Sequence, residues 1–375
     1  MSADQDQPDL PRHQRRIDAV RQHLNDRRLR PIDALLVTAI PNIFYLSGFT
    51  GSTAMLLITA SDAFLITDGR YTIQARSECP DYTLWIADGS GGYSQALGKL
   101  LETRPDFHGL GFDDSDLTIQ RFKALRKASP SGLRWIPAPR IVERLRFVKD
   151  AGEIELMRHA VKIAEKAFDN VRNLLMPGIQ ERHFAIELEF IMRRLGAECA
   201  SFDTIVASGP NGALPHYRAG DRHFEAGDLV TIDWGAKVSG YCSDITRTVA
   251  IPGKAVDPKL VEIYNVVQQA KIDAIAACRP NENGKLIDSV ARRLIEAAGY
   301  GEQFSHSLGH SLGVETHDGM TLSVRSDKVV LTPGTVTTVE PGIYIDGLGG
   351  VRIEEDVWIT ENGPVVLTTS EDEFI

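Results

Sequence analysis

Long apolar runs are missing from this sequence. The longest, such as residues 54–58, fall far short of the roughly 20 residues that a membrane-spanning helix needs, so no membrane association is expected. Met1 to Pro8 is polar and acidic, without the apolar stretch of a secretory signal. Cysteine is scarce. Cys79, Cys199, Cys242 and Cys278 are widely separated and follow no metal-binding or redox spacing. Buried free thiols in a cytoplasmic protein are the expectation. Positive charge is in deficit, with 41 Lys and Arg against 51 Asp and Glu and a net charge of −10. That argues against a nucleic-acid partner, which needs clustered cations. The local exception is Arg12, Arg15, Arg16, Arg21, Arg27, Arg28 and Arg30, interrupted by Asp18 and Asp26. It reads as a solvated helix face. Low-complexity tracts and short-period repeats are also absent.

What is present fits two domains, since 375 residues exceed the roughly 100–200 of one domain. The first part reads as α/β. Short apolar runs at 34–37, 54–59 and 62–67 have strand lengths, and helical spacing appears at 14–24 and 120–127. Ile136-Pro137-Ala138-Pro139 cannot propagate a helix and reads as a linker. The expected domains are 1–145 and 146–375. In the second, helical patterns at 153–175, 181–195, 260–277 and 285–298 alternate with strand patterns at 230–235, 244–251, 335–340 and 351–359. Helices on a largely antiparallel sheet make this domain α+β.

The most informative residues are acids where a strand should be apolar. Asp233 interrupts Leu229-Val230-Thr231-Ile232, and Asp244 opens the next strand. Asp is depleted in strand interiors, and a buried carboxylate is costly unless paired or bound to a metal. A hairpin with its midpoint between Val238 and Ser239 and a loop such as 237–240 would set Asp233 opposite Asp244, on one face. The construction recurs downstream. Glu340 and Glu354 are equidistant from Gly347, in the turn-rich segment 346–350, although Pro341 requires the pairing to break or bulge. Neighbouring carboxylates cannot all stay ionised without cations. Four acids on two hairpins therefore point to two divalent metals.

Three of the ten histidines, His306, His310 and His317, fall within twelve residues of a glycine-rich segment. Gly309 and Gly313 favour a loop or strand over a helix. One of these imidazoles could complete a carboxylate-rich metal site, and the others could act as acid–base or oxyanion groups. His216, in Leu214-Pro215-His216-Tyr217, is a weaker candidate. His13, His23, His108, His159, His183 and His223 read as structural.

Five segments together carry a family resemblance: Thr231-Ile232-Asp233-Trp234-Gly235, Ser243-Asp244-Ile245-Thr246-Arg247-Thr248, Gly309-His310-Ser311-Leu312-Gly313, Val339-Glu340-Pro341-Gly342-Ile343-Tyr344 and Arg352-Ile353-Glu354-Glu355. In order and spacing they resemble the proline-specific branch of the pita-bread metallopeptidases, which contains aminopeptidase P and prolidase. The resemblance is strong from Arg146 onward. Upstream, 44–52 and 67–71 look like the smaller creatinase-like amino-terminal domain, which supplies no metal ligand.

The resemblance implies a pita-bread catalytic domain with Asp233, Asp244, His310, Glu340 and Glu354 as ligands of two divalent ions. An oxygen-rich set with one nitrogen suits Mn2+ or Co2+, with Zn2+ also admitted. It further implies that Asp244 and Glu354 bridge, that Glu340 takes the proton of the attacking water, and that His216 and His317 stabilise the oxyanion and position proline. His306 and Arg352 complete the site. A peptide with proline second is the implied substrate and a homodimer the implied assembly. The amino-terminal motifs lean towards aminopeptidase P, so an Xaa-Pro aminopeptidase is the first expectation and a prolidase, cleaving Xaa-Pro dipeptides, the second. A catalytically inactive binding module on the same scaffold is disfavoured, because all five ligands stand.

Overall fold

Strands buried along their whole length form the centre of the amino-terminal sheet. Ala34–Val37, Met55–Thr59 and Gly109–Phe112 are buried at every position, as expected for a sheet covered on both faces. The structure, a computed structural model, describes residues 12–24, 32–88, 91–138 and 140–370. The chain divides into two compact units, one ending at Leu145 and one starting at Arg146.

In the first unit six strands lie in the order Thr83–Ala87, Ala63–Asp68, Met55–Thr59, Ala34–Val37, Gly109–Phe112, Arg134–Pro137. The pairings Ala34–Val37 with Met55–Thr59, and Met55–Thr59 with Ala63–Asp68, are antiparallel, and the other three are parallel. Helices Gly92–Glu102 and Ile119–Ala128 cover the apolar side with Leu97, Leu101 and Leu125. Each such fully buried side chain contributes about 1.5–3 kcal/mol.

Two expectations are corrected here. Ile136 and Pro137 belong to an edge strand rather than a linker, where a residue without an N–H is tolerated because one side of the strand is unpaired. Ala138 continues the pairing, donating to the Phe112 carbonyl at 2.8 Å. The arginine-rich helix Arg12–Leu24 is not uniformly solvated. Arg16 is buried, donates to the Tyr45 carbonyl at 2.7 Å and stacks on its ring. Met1 to Pro8, Asp26, Arg27, Arg28, Arg30 and Pro139 lie outside the described residues.

The second unit is built twice from the same parts, a helix pair followed by a β-hairpin. Ala151–Val171 opens the first pair. Asp150 and Glu153 cap it reciprocally, each side chain accepting from the other's backbone N–H. Glu181–Arg194 follows. The first hairpin pairs Leu229–Trp234 with Ile245–Ala250, and Ile205–Ser208 adds a third strand. Trp234 fixes its orientation. The indole stacks on Phe168 at 4.7 Å and donates to the Ala164 carbonyl at 3.0 Å, on the helix side. Side chains alternate along a strand, so Asp233 faces away from that helix.

The register corrects the expected pairing. Asp233 lies opposite Thr246, not Asp244. The hairpin closes through Val238 and Tyr241 around Ser239 and Gly240, whose φ angles of 48° and 79° are both left-handed. This is a two-residue turn matched to strand twist, not the four-residue loop expected. The shift is two residues, which preserves parity. Asp244 therefore still shares the face of Asp233, as its diagonal neighbour.

Helices Pro258–Ala277 and Gly284–Ala297 form the second pair and pack on Val339, Ile343, Val351 and Ile353. The second hairpin is one long register with a gap. Val339 pairs with Glu355 in the outer ladder and Gly342 with Arg352 in the inner one, three residues further along each strand. Glu340-Pro341 and Ile353-Glu354 occupy the gap. There the Glu340 N–H turns to the Leu308 carbonyl and the Glu354 N–H to the Thr246 carbonyl.

All four cysteines are free, with Cys199 half-buried and the others buried. Burial pushes the Cys79 and Cys242 thiols up to about 11 and Cys278 to about 12. No helix among the described residues is long and apolar enough to cross a membrane.

Gly235 tests this frame. A Cβ there would lie 1.9 Å from the Ser243 carbonyl oxygen, backbone that cannot move aside. Gly235→Ala is expected to destabilise by about 1–3 kcal/mol, the usual cost of overpacking. Gly152→Ala, on the helix Ala151–Val171 where a Cβ meets only the Asp150 side chain at 3.3 Å, should be neutral or stabilising. Urea unfolding followed by tryptophan fluorescence compares the two.

Candidate active site

The interrupted hairpin and the diagonal acid pair meet on the wall of one cavity of about 500 Å³. Its lining includes Asp233, Asp244, His310, Glu340, Glu354, His216, His306, His317 and Arg352. All nine residues singled out in the sequence are brought together there.

Threonine side chains stitch the two hairpins. Thr246 Oγ1 donates to Glu354 Oε2 at 2.6 Å, Thr248 Oγ1 to the Arg352 carbonyl at 2.8 Å, and Thr231 Oγ1 to the Gly350 carbonyl at 3.3 Å. On the buried side, Arg247 Nη1 donates to the Glu354 carbonyl at 2.6 Å, while Nη2 pairs with Glu355, which also takes Lys271 Nζ at 2.8 Å. Asp356 Oδ2 accepts the Asp244 N–H at 3.2 Å. The backbones that carry Asp244 and Glu354 are thus held from behind by Asp356 and Arg247, outside the cavity.

Donor atoms of Asp244, His310 and Glu354 all lie within 4.8 Å of one another. His310 Nε2 is 3.6 Å from Asp244 Oδ2 and 3.4 Å from Glu340 Oε1. The tautomer follows from the other ring nitrogen. His310 Nδ1 faces the Ser311 carbonyl at 3.3 Å. A carbonyl only accepts, so Nδ1 carries the proton and Nε2 turns a lone pair towards the acids. Thr338 Oγ1 accepts the His310 N–H and donates to Glu340 Oε1.

The charges here do not balance without a cation. Burial, then the neighbouring carboxylates, raise the Asp244 and Glu354 carboxyls well above their usual range. Burial pushes Glu340 up to about 8, with Asp233 adding to the rise. Arg352 is the fixed cation beside them, and its Nη2 is already given to Asp233 Oδ2 at 2.6 Å. Asp233 Oδ1 is buried and has no hydrogen-bond partner among the described residues. At ε of about 20, two carboxylates about 4 Å apart repel by about 4 kcal/mol. A hard, oxygen-seeking divalent ion would offset this repulsion and take up the orphaned oxygen, so the donor set fits metal.

The histidines differ in kind. Burial lowers His310 to about 3 and His306 to about 4. His306 is engaged at both nitrogens. Nδ1 donates to the Ser307 carbonyl at 2.8 Å, and Nε2 accepts from Tyr344 Oη at 2.8 Å. Tyr344 in turn accepts from Arg352 Nη1 at 3.0 Å. His306 therefore acts through Tyr344 and Arg352 on Asp233. His216 and His317 are exposed on the cavity wall, with the His317 ring 4.0 Å from that of His310. Partial desolvation of the ring against the cavity wall, then the neighbouring His216, lowers the His317 pKa.

Sequence reasoning missed Tyr344, Thr246, Asp356 and, beside His216, the residues Tyr217 and Arg218. Asp356 had a signal, as the third acid of Glu354-Glu355-Asp356 inside a strand pattern. The threonines had none, because alternating Thr is ordinary in strands.

The comparisons with known proteins bear on the family and the fold. Residues 155–361 match Metallopeptidase family M24 and residues 16–148 the Creatinase/Prolidase N-terminal domain. An Xaa-Pro dipeptidase of Pyrococcus horikoshii is 37% identical over 92% of this chain and 95% of its own. A solved Xaa-Pro dipeptidase from Bacillus anthracis superposes with a TM-score of 0.90 at 38% identity, over 97% of this chain and 99% of the other. A solved X-Pro aminopeptidase from Thermotoga maritima gives 0.84 at 40% identity, over 92% and 98%. The chain belongs to the proline-specific, pita-bread branch of metallopeptidase family M24, with a creatinase-like amino-terminal domain.

The acid cluster predicts a pH signature for the metal-free protein. Glu340 has a folded pKa raised to about 8 from an unfolded value of about 4.3. Its stabilising contribution is therefore present at low pH and is lost as pH rises through 8. His306 and His310, with lowered folded values, act oppositely but have finished titrating above about 6.5. The melting temperature of chelator-treated protein should fall between pH 6.5 and 8, and added Mn2+ should remove the slope. A flat profile without metal would contradict the charge imbalance.

Proposed function

We propose that this protein is an Xaa-Pro dipeptidase that uses two divalent ions, Mn2+ or Co2+, held by Asp233, Asp244, His310, Glu340 and Glu354. The observation that carries the reading is the gathering of these five donors, with one orphaned carboxylate oxygen, on the wall of a peptide-sized cavity. Phe202, Ile205 and Pro215 give the same cavity an apolar wall suited to a proline ring. The dipeptidase names of the Pyrococcus horikoshii and Bacillus anthracis proteins, which match nearly end to end, favour a prolidase over the aminopeptidase first expected. The Thermotoga maritima likeness supports the aminopeptidase as second reading.

Divalent ions in this site would supply a water of lowered pKa and polarise the scissile carbonyl. The chain's residues do the rest. Glu340, its Oε1 fixed by the Thr338 hydroxyl, takes the proton of the attacking water and delivers it to the leaving proline nitrogen. His216 and His317 donate N–H groups to the developing oxyanion. Arg352 holds Asp233 in place from one side, and Tyr344 holds Arg352.

Xaa-Pro, Xaa-Pro-Yaa and Xaa-Ala substrates assayed side by side, before and after chelation, test the reading. Xaa-Pro cleavage should dominate, vanish on chelation and return with Mn2+ or Co2+. Equal cleavage of Xaa-Ala, or full activity in protein shown to be metal-free by elemental analysis, would overturn it. Faster cleavage of Xaa-Pro-Yaa would select the aminopeptidase.

Two variants separate ligand from oxyanion donor. His216→Ala should keep its metal content and lose about 10²–10³ in kcat, the usual effect of one oxyanion donor, with a smaller change in KM. Glu340→Gln should lose more activity and also some metal. Metal loss in His216→Ala would make His216 a ligand, and near-full kcat would exclude its oxyanion role.

A further inference from the structure

A dipeptide differs from a longer substrate in one chemical respect at its far end. Its proline carries a free carboxylate, within one residue of the scissile bond, about 3.8 Å between successive Cα atoms. An enzyme that prefers dipeptides needs a cation on the wall of the same cavity. Among the described residues lining the cavity, the guanidinium groups are those of Arg352 and Arg218.

Arg352 is already committed. Nη2 donates to Asp233 Oδ2 at 2.6 Å, Nη1 to Tyr344 Oη at 3.0 Å and to the Pro215 carbonyl at 3.2 Å, and Nε to Thr246 Oγ1 at 3.3 Å. Turning it towards a substrate would strip Asp233 of its counter-charge. Arg218 is the opposite case. Its side chain is 89% exposed, and its ion pair with Asp203 Oδ2 is long, at 3.8 Å, with Asp203 equally exposed. An exposed pair of this kind contributes little, and a carboxylate that approaches the planar fork bidentately outcompetes it.

The backbone that presents Arg218 is fixed on both sides. Glu181, with no exposed surface, accepts from Tyr217 Oη at 2.9 Å and from the Gly220 N–H at 3.3 Å. It also accepts from Asn211 Nδ2 at 3.0 Å and from the Ser208 N–H and hydroxyl at 2.8 and 2.6 Å. One buried carboxylate thus anchors the residue before Arg218 and the second residue after it. The loop also carries His216, proposed above to meet the oxyanion. An exposed, weakly paired guanidinium on a held backbone, beside the group proposed to meet the scissile carbonyl, is preorganised for the carboxylate one residue further on.

We propose that Arg218 is the specificity-determining residue that reads the free carboxylate of the substrate's proline. The assignment rests on the Xaa-Pro reading of the site and says what makes the dipeptide the preferred length.

The test compares Xaa-Pro with Xaa-Pro amide, which has the same shape without the charge, in wild type, Arg218→Met and Arg218→Lys. Arg218→Met should raise KM for Xaa-Pro about 10- to 100-fold, the range of a lost charge-assisted hydrogen bond. Its kcat and its handling of the amide should change by less than about threefold, and Arg218→Lys should recover part of the loss. Equal losses for acid and amide would overturn the assignment, and so would an unchanged KM for the acid. Calorimetric binding of free proline and prolinamide to the same Mn2+-loaded proteins reads Arg218 without catalysis. Arg218→Met should weaken proline selectively, and equal effects on both ligands, or none, would overturn the assignment. A wild type that cleaves neither substrate yet binds proline through Arg218 would refute the Xaa-Pro reading and leave the carboxylate reader standing.

Discussion

Mutual repulsion among buried carboxylates is the constraint around which the second unit is organised. Asp233, Asp244, Glu340 and Glu354 face one cavity, and Arg352 is tied to Asp233. Such a cluster is tolerable only if the surrounding chain cannot relax away from it. The hairpins are accordingly bound to each other through Thr231, Thr246 and Thr248, and to the helices through Trp234 and the buried Arg247–Glu355–Lys271 group. The rigidity that keeps the acids together without metal also holds their geometry ready for it. Metal binding and folding stability are therefore linked, since an ion that binds only the native cluster stabilises the native state.

The gap in the second hairpin shows how strand geometry is adapted to this end. A continuous ladder would commit the backbone at Glu340 and Glu354 to each other. The interruption frees both. The Glu340 N–H goes to Leu308, beside the strand that bears His310, and the Glu354 N–H goes to Thr246, opposite Asp233. Pro341, with no N–H to leave unpaired, lets the ladder open there without an orphaned donor. Two hairpins and the histidine strand are so joined at the residues that bear the charges.

Some of this was legible in the sequence and some was not, for identifiable reasons. Glu340 and Glu354 were placed correctly about Gly347 because the glycine-rich turn marks its own centre. Asp233 and Asp244 were misregistered by two residues because Ser239-Gly240 lacks the Asn-Gly or Asp-Gly signature of a two-residue turn. The face was still right, since an even error preserves it. Tyr344 and the threonines were invisible as site residues because their roles depend on contacts far apart in sequence, with His306 for Tyr344 and with the other hairpin for the threonines. The loop at 208–222 has no periodicity to read, and Glu181, its anchor, looks like any first-turn helix acid. Arg16 was misjudged because burial of a guanidinium depends on a tyrosine carbonyl 29 residues away.

The turn at Gly347 lies at the far end of the hairpin from its interrupted segment, and the shared register makes the paired strands between them intolerant of changes in length. The outer ladder fixes Glu355 against Val339, and the inner one fixes Arg352 against Gly342. One residue gained or lost within 342–345 or 349–352 would set the two ladders at odds. If the inner ladder slipped by one, the side chains of its shifted strand would exchange faces, and Arg352 would leave Asp233. Among descendants of this sequence, insertions should therefore gather at the turn tip or elsewhere on the surface, while the paired strands between turn and gap keep their residue count even as their side chains drift.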